Sequence, residues 1–206
     1  MNIWDGMSGR GRECTGRMKV ALIPVDGRVR VWRQRNTAFQ QEHIVGTTAF
    51  GGGGVTVWGC FSLTCKIDLY VLDGTLTGQK YRDEILRPLV VPHFDCHPLA
   101  SRPILMDDNA RPHRARIAQD YLQQEALELL PWPAMSPDMN PIEHLWDYLG
   151  RKVNARTPKC QNIQELRTAL VQEWQQYPQH RLRRLIHGMR RRVQELYRKR
   201  GAYTRY

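Results

Sequence analysis

The apolar run Pro103-Ile-Leu-Met106 stops abruptly at Asp107-Asp108-Asn109, and that break constrains the fold more than any other feature of the chain. A short run with no polar alternation is the pattern of a strand buried on both faces. Such a strand needs a sheet around it and cover on each side. Helical spacing supplies the cover. Thr77 to Leu89 carries Tyr81, Ile85 and Leu89, with Pro88 and Pro92 expected to close the helix. Pro112 to Gln124 reads as a second helix. Pro141 to Val153 reads as a third, with Ile142, Leu145, Trp146, Leu149 and Val153 along one stripe. Upstream, Asp26-Gly27 between Val20–Val25 and the alternating Val29 and Val31 reads as a hairpin turn joining two strands. Gly51 to Gly54 form a turn feeding a third strand through Val55, Val57 and Phe61. No Gly-Lys-Ser/Thr follows them, so a phosphate-cradling P-loop is not supported. Ala126 to Leu130 adds another strand. The expectation is an α/β fold, a mixed sheet flanked by helices.

Length allows one good core with at most a small appended element. Thirty-one Lys and Arg against twenty Asp and Glu leave a net charge of +11, which suits a polyanion or an acidic membrane surface. Apolar runs such as Leu69 to Leu72 and Leu89 to Val91 fall far short of the roughly 20 residues that cross a bilayer. Met1 to Arg12 lacks the apolar centre of a secretory signal, so the chain is expected to stay inside the cell. Cys14, Cys60, Cys65, Cys96 and Cys160 contain no CxxC pair and are read as reduced; His93, Cys96 and His97 lack a second ligand pair and are read as ordinary loop residues. From Ile163 onward the pattern is helical, and its last part is strongly basic. Arg181, Arg183, Arg184, Arg190, Arg191, Arg192 and Arg198 there are either a solvated helix face or a set of phosphate contacts.

Two carboxylates stand at structural punctuation points. Asp108 follows a strand's end, and Glu143 lies in a helix's first turn, with 34 residues between them. Each has a plain explanation. Asn140, Pro141 and Glu143 make a capping arrangement, and Asp107, Asp108 and Asn109 could cap the helix expected from Pro112.

Taken with their flanks, the two carboxylates resemble the Tc/mariner superfamily of DDE transposases. The matching pieces are Asp26-Gly-Arg-Val-Arg-Val-Trp-Arg33, Gly52-Gly-Gly-Val-Thr-Val-Trp-Gly-Cys60, Met106-Asp-Asp-Asn-Ala-Arg-Pro-His113 and Trp132-Pro-Ala-Met-Ser-Pro-Asp-Met-Asn-Pro-Ile-Glu-His-Leu-Trp146. Arg184 to Arg192 and Gly201 to Tyr206 continue the likeness, so it covers about Asp26 to Tyr206. The resemblance implies an RNase H-like sheet with a basic helical C-terminal region, and three carboxylates holding two Mg²⁺ or Mn²⁺ ions over a DNA phosphate. Asp108 and Glu143 are the second and third of these, as catalytic residues and metal ligands. Oxygen ligands suit Mg²⁺, and two such ions can stabilise the attacking and leaving oxygens of an in-line displacement. DNA is the implied partner, through Arg183, Arg184, Arg190, Arg191, Arg192 and Arg198. No membrane contact is implied. A homo-oligomer, or assembly with a full-length transposase, and a nuclear location are further expectations.

The family's first carboxylate stands on the opening strand, in the context Asp-Glu-Ser-Arg-Phe. Here that place reads Gly16-Arg-Met-Lys-Val20, without an acid; Asp26 belongs to the hairpin turn, and Asp5, Asp68 and Asp73 lack a motif. The family's N-terminal helix-turn-helix region is also missing from the likeness, so sequence-specific reading of transposon ends is expected to be lost. The domain plan is therefore 1–22 as an out-of-frame or non-native segment, 23–160 as the DDE core and 161–206 as its basic helical extension. Three readings follow: a nuclease and strand-transferase domain inactive as written, a catalytically dead relic that binds DNA nonspecifically or joins transposase assemblies, and an unrelated RNase H-like nuclease. The particular run Ser136 to Glu143 disfavours the last. A metal-dependent nicking assay separates the first two.

Codons explain the missing acid. Reading the third base of one codon with the first two of the next, Met18-Lys19 must give Glu, while Arg17-Met18, Lys19-Val20, Val20-Ala21 and Ala21-Leu22 permit Asp, Ser, Arg and Phe. The expected outcome of reading the genomic DNA is an open alternative frame spelling Asp-Glu-Ser-Arg-Phe, rejoining the present frame between Leu22 and Asp26. A stop codon in that frame would overturn it.

Overall fold

The computed structural model describes residues 12–21, 54–95, 104–131 and 139–199. The hairpin turn at Asp26-Gly27, the pair Cys96 and His97, and most of the Trp132 to Asn140 run lie outside the described residues. Four strands form one sheet in the order β3-β2-β1-β4, where β1 is Arg12–Ala21, β2 Gly54–Phe61, β3 Tyr70–Leu72 and β4 Ile104–Met106. β1 is antiparallel to β2 and parallel to β4, so the sheet is mixed, as expected. The segment read as foreign to the fold thus supplies the backbone of an inner strand, with Cys14 opposite Phe61 on one side and Met106 on the other. A segment foreign to the fold is expected to fit it poorly, and residues 12–21 instead pair on both sides; main-chain hydrogen bonds are indifferent to side-chain identity, so the pairing does not identify the frame.

β2 and β4 are buried on both faces. All three residues of β4 are enclosed: Ile104 and Met106 join one core and Leu105 the other. β2 divides in the same way, Val55, Val57 and Phe61 to one side and Trp58 and Cys60 to the other. The first core is covered by α4 (Pro141–Asn154), α5 (Ile163–Gln176) and α6 (Gln179–His187), and α7 (Met189–Arg198) follows on. Beneath the second lie α1 (Gly78–Lys80), a π-helical stretch Tyr81–Val90, α2 (Val91–Asp95) and α3 (Arg116–Gln124).

Two local expectations need correction. Pro88 and Pro92 do not stop the helix that begins at Gly78, which continues without a break to Asp95. A proline ring clashes with the i−4 carbonyl of a regular α-helix, and the wider i→i+5 winding around Pro88 gives it room at the cost of one missing donor. Its apolar side chains are spaced accordingly: Tyr81, Ile85, Leu86, Val90 and Phe94 are buried, while Leu89 is only partly so. The strand expected at Ala126 to Leu130 shrinks to one parallel bridge, Leu105 to Leu129. The end of α3 consumes the preceding residues, with Leu127 N donating to Leu122 O and Ala126 in the left-handed region at φ 51.

Packing is close where α4 and α5 cross the sheet. Trp146 and Trp174 stack with ring centroids 5.5 Å apart over Gly59, and Trp174 Nε1 donates to Ile67 O at 2.9 Å. A Cβ on Gly59 would stand 2.6 Å from Trp174 and 2.8 Å from Trp146, so only glycine admits both indoles. Gly59→Ala is therefore expected to cost about 1–3 kcal/mol by overpacking. Gly150→Ala is the control. It sits in α4 with nothing within 4 Å of its added Cβ, and is expected to stabilise by about 0.5–1 kcal/mol. Urea unfolding of the two variants checks both signs.

Candidate active site

Asp108 stands two residues beyond Met106, the last residue of β4, where the chain leaves the buried strand. The loop that follows is tied by its own side chains. Buried Asp107 accepts from Asn109 N and from the Arg114 guanidinium, and Arg114 Nε donates to Asn109 Oδ1 at 2.7 Å. Asn109 sits at φ 58, a left-handed conformation that asparagine tolerates better than most residues. Asp108 Oδ1 accepts from Ala110 N at 3.0 Å and lies 2.8 Å from Nδ1 of His113, whose side chain is fully buried. Neither acidic residue caps the next helix. α3 begins at Arg116 with Ala115 as an N-cap that offers no side-chain bond.

Glu143 lies in the first turn of α4, behind N-cap Asn140 and Pro141. Chemistry alone would let it fold back onto the cap. A second helix shows what that looks like: at α5 the same Asn-x-x-Glu spacing closes a capping box, in which Glu165 accepts from Gln161 N and Asn162 Nδ2 while Glu165 N donates to Asn162 Oδ1. At α4 only the asparagine half forms, Ile142 N donating to Asn140 Oδ1 at 3.3 Å. The Glu143 carboxylate makes no hydrogen bond among the described residues and is not spent on its own helix. Burial pushes its pKa up to about 6, and the negative charge of Asp108 pushes in the same direction. Asp108 from the end of β4 and Glu143 from the start of α4 thus lie near enough for the charge of one to act on the other.

The basic C-terminal helices are anchored close by. α6 packs on α4 through Leu182 and Ile186, and turns Arg181, Arg183 and Arg184 to solvent. Arg190, Arg191 and Arg198 of α7 are also exposed. Arg192 departs from the expectation of an open phosphate contact. It is 5% exposed, and its charge together with burial lowers the pKa of His144, the neighbour of Glu143; burial is the larger cause. The helical spacing of α7 turns Met189 and Arg192 inward together.

Sequence reasoning missed Arg192's inward position and the packing of His113 against Asp108. The second was signalled, since His113 closes the run beginning at Met106. As donors for a metal ion, Asp108 and Glu143 offer the hard carboxylate oxygens that Mg²⁺ and Mn²⁺ take. No cluster of three or more His, Cys, Asp and Glu side chains able to hold a metal exists among the described residues.

The mixed sheet thus carries one carboxylate just beyond the end of β4 and another in the first turn of α4, the second helix after that strand. Comparison with known proteins identifies the family. Residues 30–167 match the family described as DDE superfamily endonuclease. The Tc3 transposase of Caenorhabditis elegans is 31% identical over 76% of this chain and 47% of its own length; the Tcb2 transposase of Caenorhabditis briggsae is 30% identical over 91% and 67%. The chain therefore spans between about half and two thirds of these relatives. The solved Mos1 mariner paired end complex with Mn superposes with a TM-score of 0.72 at 17% identity, covering 93% of this chain and 56% of that one. This chain belongs to the DDE superfamily endonucleases, among the Tc1/mariner transposases.

The raised pKa of Glu143 sets a pH dependence. The folded value, about 6, exceeds the ordinary 4.5, so this group favours the fold below about pH 4.5, and that contribution is lost as pH rises through 6. In metal-free buffer Glu143→Gln, which stays neutral, is expected to stabilise by about 1 kcal/mol at pH 8 after allowance for partial exposure, and by nothing at pH 4. Equal effects at both values in thermal melts would contradict the assignment.

Proposed function

We propose that this chain is the DNA-cutting and DNA-joining domain of a Tc1/mariner-type transposase, with Asp108 and Glu143 as ligands of Mg²⁺ or Mn²⁺, and that it is catalytically silent for want of a third carboxylate. The observation that carries the proposal is the electrostatic coupling of Asp108 and Glu143, with Glu143 left out of its own helix cap. When bound, divalent cations supply charge stabilisation to the attacking and leaving oxygens of an in-line displacement at phosphorus. The protein's part is to hold the carboxylates on rigid elements and to seat the phosphodiester. Exposed Arg183, Arg184, Arg190, Arg191 and Arg198 line α6 and α7 for the second task.

Backbone register supports the silence. Cys14 pairs with Met106 in parallel at the end of the ladder, and Gly16 stands two residues further along β1, as Asp108 stands two residues beyond Met106. Glycine contributes no oxygen there. The only acid on β1 is Glu13, the backbone register partner of Leu105. Two carboxylates leave a pair of cations short of charge and of a bridging ligand. An out-of-frame origin for residues 1–22, the remainder forming one DDE domain, accounts for the loss.

Relatives support the partner. The Mos1 structures include a strand transfer complex and a paired-end complex with a left transposon end, and one of the catalytic domain with Mg. Carried to this chain, they suggest DNA as the ligand, assembly into a homo-oligomer or with full-length transposase, and a nuclear location.

Two outcomes test the proposal. Supercoiled DNA incubated with the protein and Mg²⁺ or Mn²⁺ is expected to remain intact; robust nicking abolished by Asp108→Ala would show that a third ligand exists after all. Duplex binding is expected to weaken steeply with salt and to vary little with sequence, and replacing Arg183, Arg184, Arg190 and Arg198 by Ala is expected to lower the salt slope by about one per phosphate contact removed. An affinity flat in salt would leave the basic helices as a solvated surface only.

A further inference from the structure

We propose that His113 is a positioning residue for the metal-binding carboxylate of Asp108, which rests on the reading of Asp108 as a ligand. Its ring is fully buried, lies against Tyr81 with centroids 4.2 Å apart, and brings Nδ1 to 2.8 Å from Asp108 Oδ1. The backbone around it is pinned at both ends of the residue: His113 N donates to Ala110 O at 2.9 Å, and Gln119 Nε2 donates to His113 O at 2.6 Å. Tyr81 is itself wholly buried as the first residue of the π-helical stretch, so the ring has a rigid wall behind it.

Packing alone does not explain a histidine here. A phenylalanine would lie against Tyr81 equally well and would bury no nitrogens. The imidazole has both nitrogens out of water, with no well-directed hydrogen bond to either, and a buried polar atom in that condition costs stability. What the nitrogens gain is Asp108. The contact is short, though bent away from a straight N–H···O line. Ala110 N donates to Oδ1 and Nδ1 lies against the same oxygen, so both bear on that one atom of the carboxylate. Hydrogen-bonded partners behind a metal ligand commonly change metal affinity by about 10- to 100-fold.

Mn²⁺ titration of the full chain followed by electron paramagnetic resonance tests this, with Asp108→Ala marking loss of the site. His113→Phe, which keeps the ring against Tyr81, is expected to weaken Mn²⁺ binding about tenfold or more with its melting temperature retained. His113→Asn, whose amide N–H can reach the place of Nδ1, is expected to recover part of the loss. Unchanged affinity in a folded His113→Phe protein overturns the proposal while leaving Asp108 a ligand. A wild-type protein with no saturable, Asp108-dependent Mn²⁺ site removes the ligand reading and the proposal with it. Should His113→Phe not fold, the wild-type chain decides: saturating Mg²⁺ is expected to shift the ¹⁵N resonance of His113 Nδ1, and an unmoved resonance overturns the proposal.

Discussion

Ile104–Met106 is enclosed on both faces, so the strand can meet water only where it ends, and the first polar side chains beyond Met106 fall at the margin of the core. The two carboxylates there part company. Asp107 turns inward, where the Arg114 guanidinium compensates its burial, and Asp108 is left partly open at the rim. The rest of the site is arranged around that rim. α4 crosses the same core through Ile142, Leu145 and Trp146, and this fixes the height at which its first turn presents Glu143.

Much of this was legible in the letters. The apolar run before Asp107 announced a doubly covered strand, the stripe from Ile142 to Val153 announced α4 almost to the residue, and the mixed sheet followed from the order of strands and helices. Motif and spacing picked Asp108 and Glu143 out of the chain's acids. What could not be read was whether Glu143 closed its own capping box, because Asn140-Pro-Ile-Glu143 and Asn162-Ile-Gln-Glu165 are alike as patterns, and only the hydrogen bonds of the folded chain tell them apart. The prolines misled for a related reason. A rule written for α-helices says that Pro88 ends the segment, yet the backbone had a wider winding open to it. Arg192 was placed among exposed arginines because charge suggested it, whereas the phase of α7 turns it inward.

Arg192 also determines how the basic helices are attached. α6 is packed on α4, α7 continues from α6, and Arg192 reaches inward to the neighbourhood of His144, beside Glu143. In mechanical terms this is a short load path. A force applied to the outer arginines of α6 reaches the helix bearing Glu143 through the packed side chains of Leu182 and Ile186. A long polymer lying along α6 and pulled sideways would therefore move the carboxylate and its own point of attachment together, keeping the distance between them constant under strain.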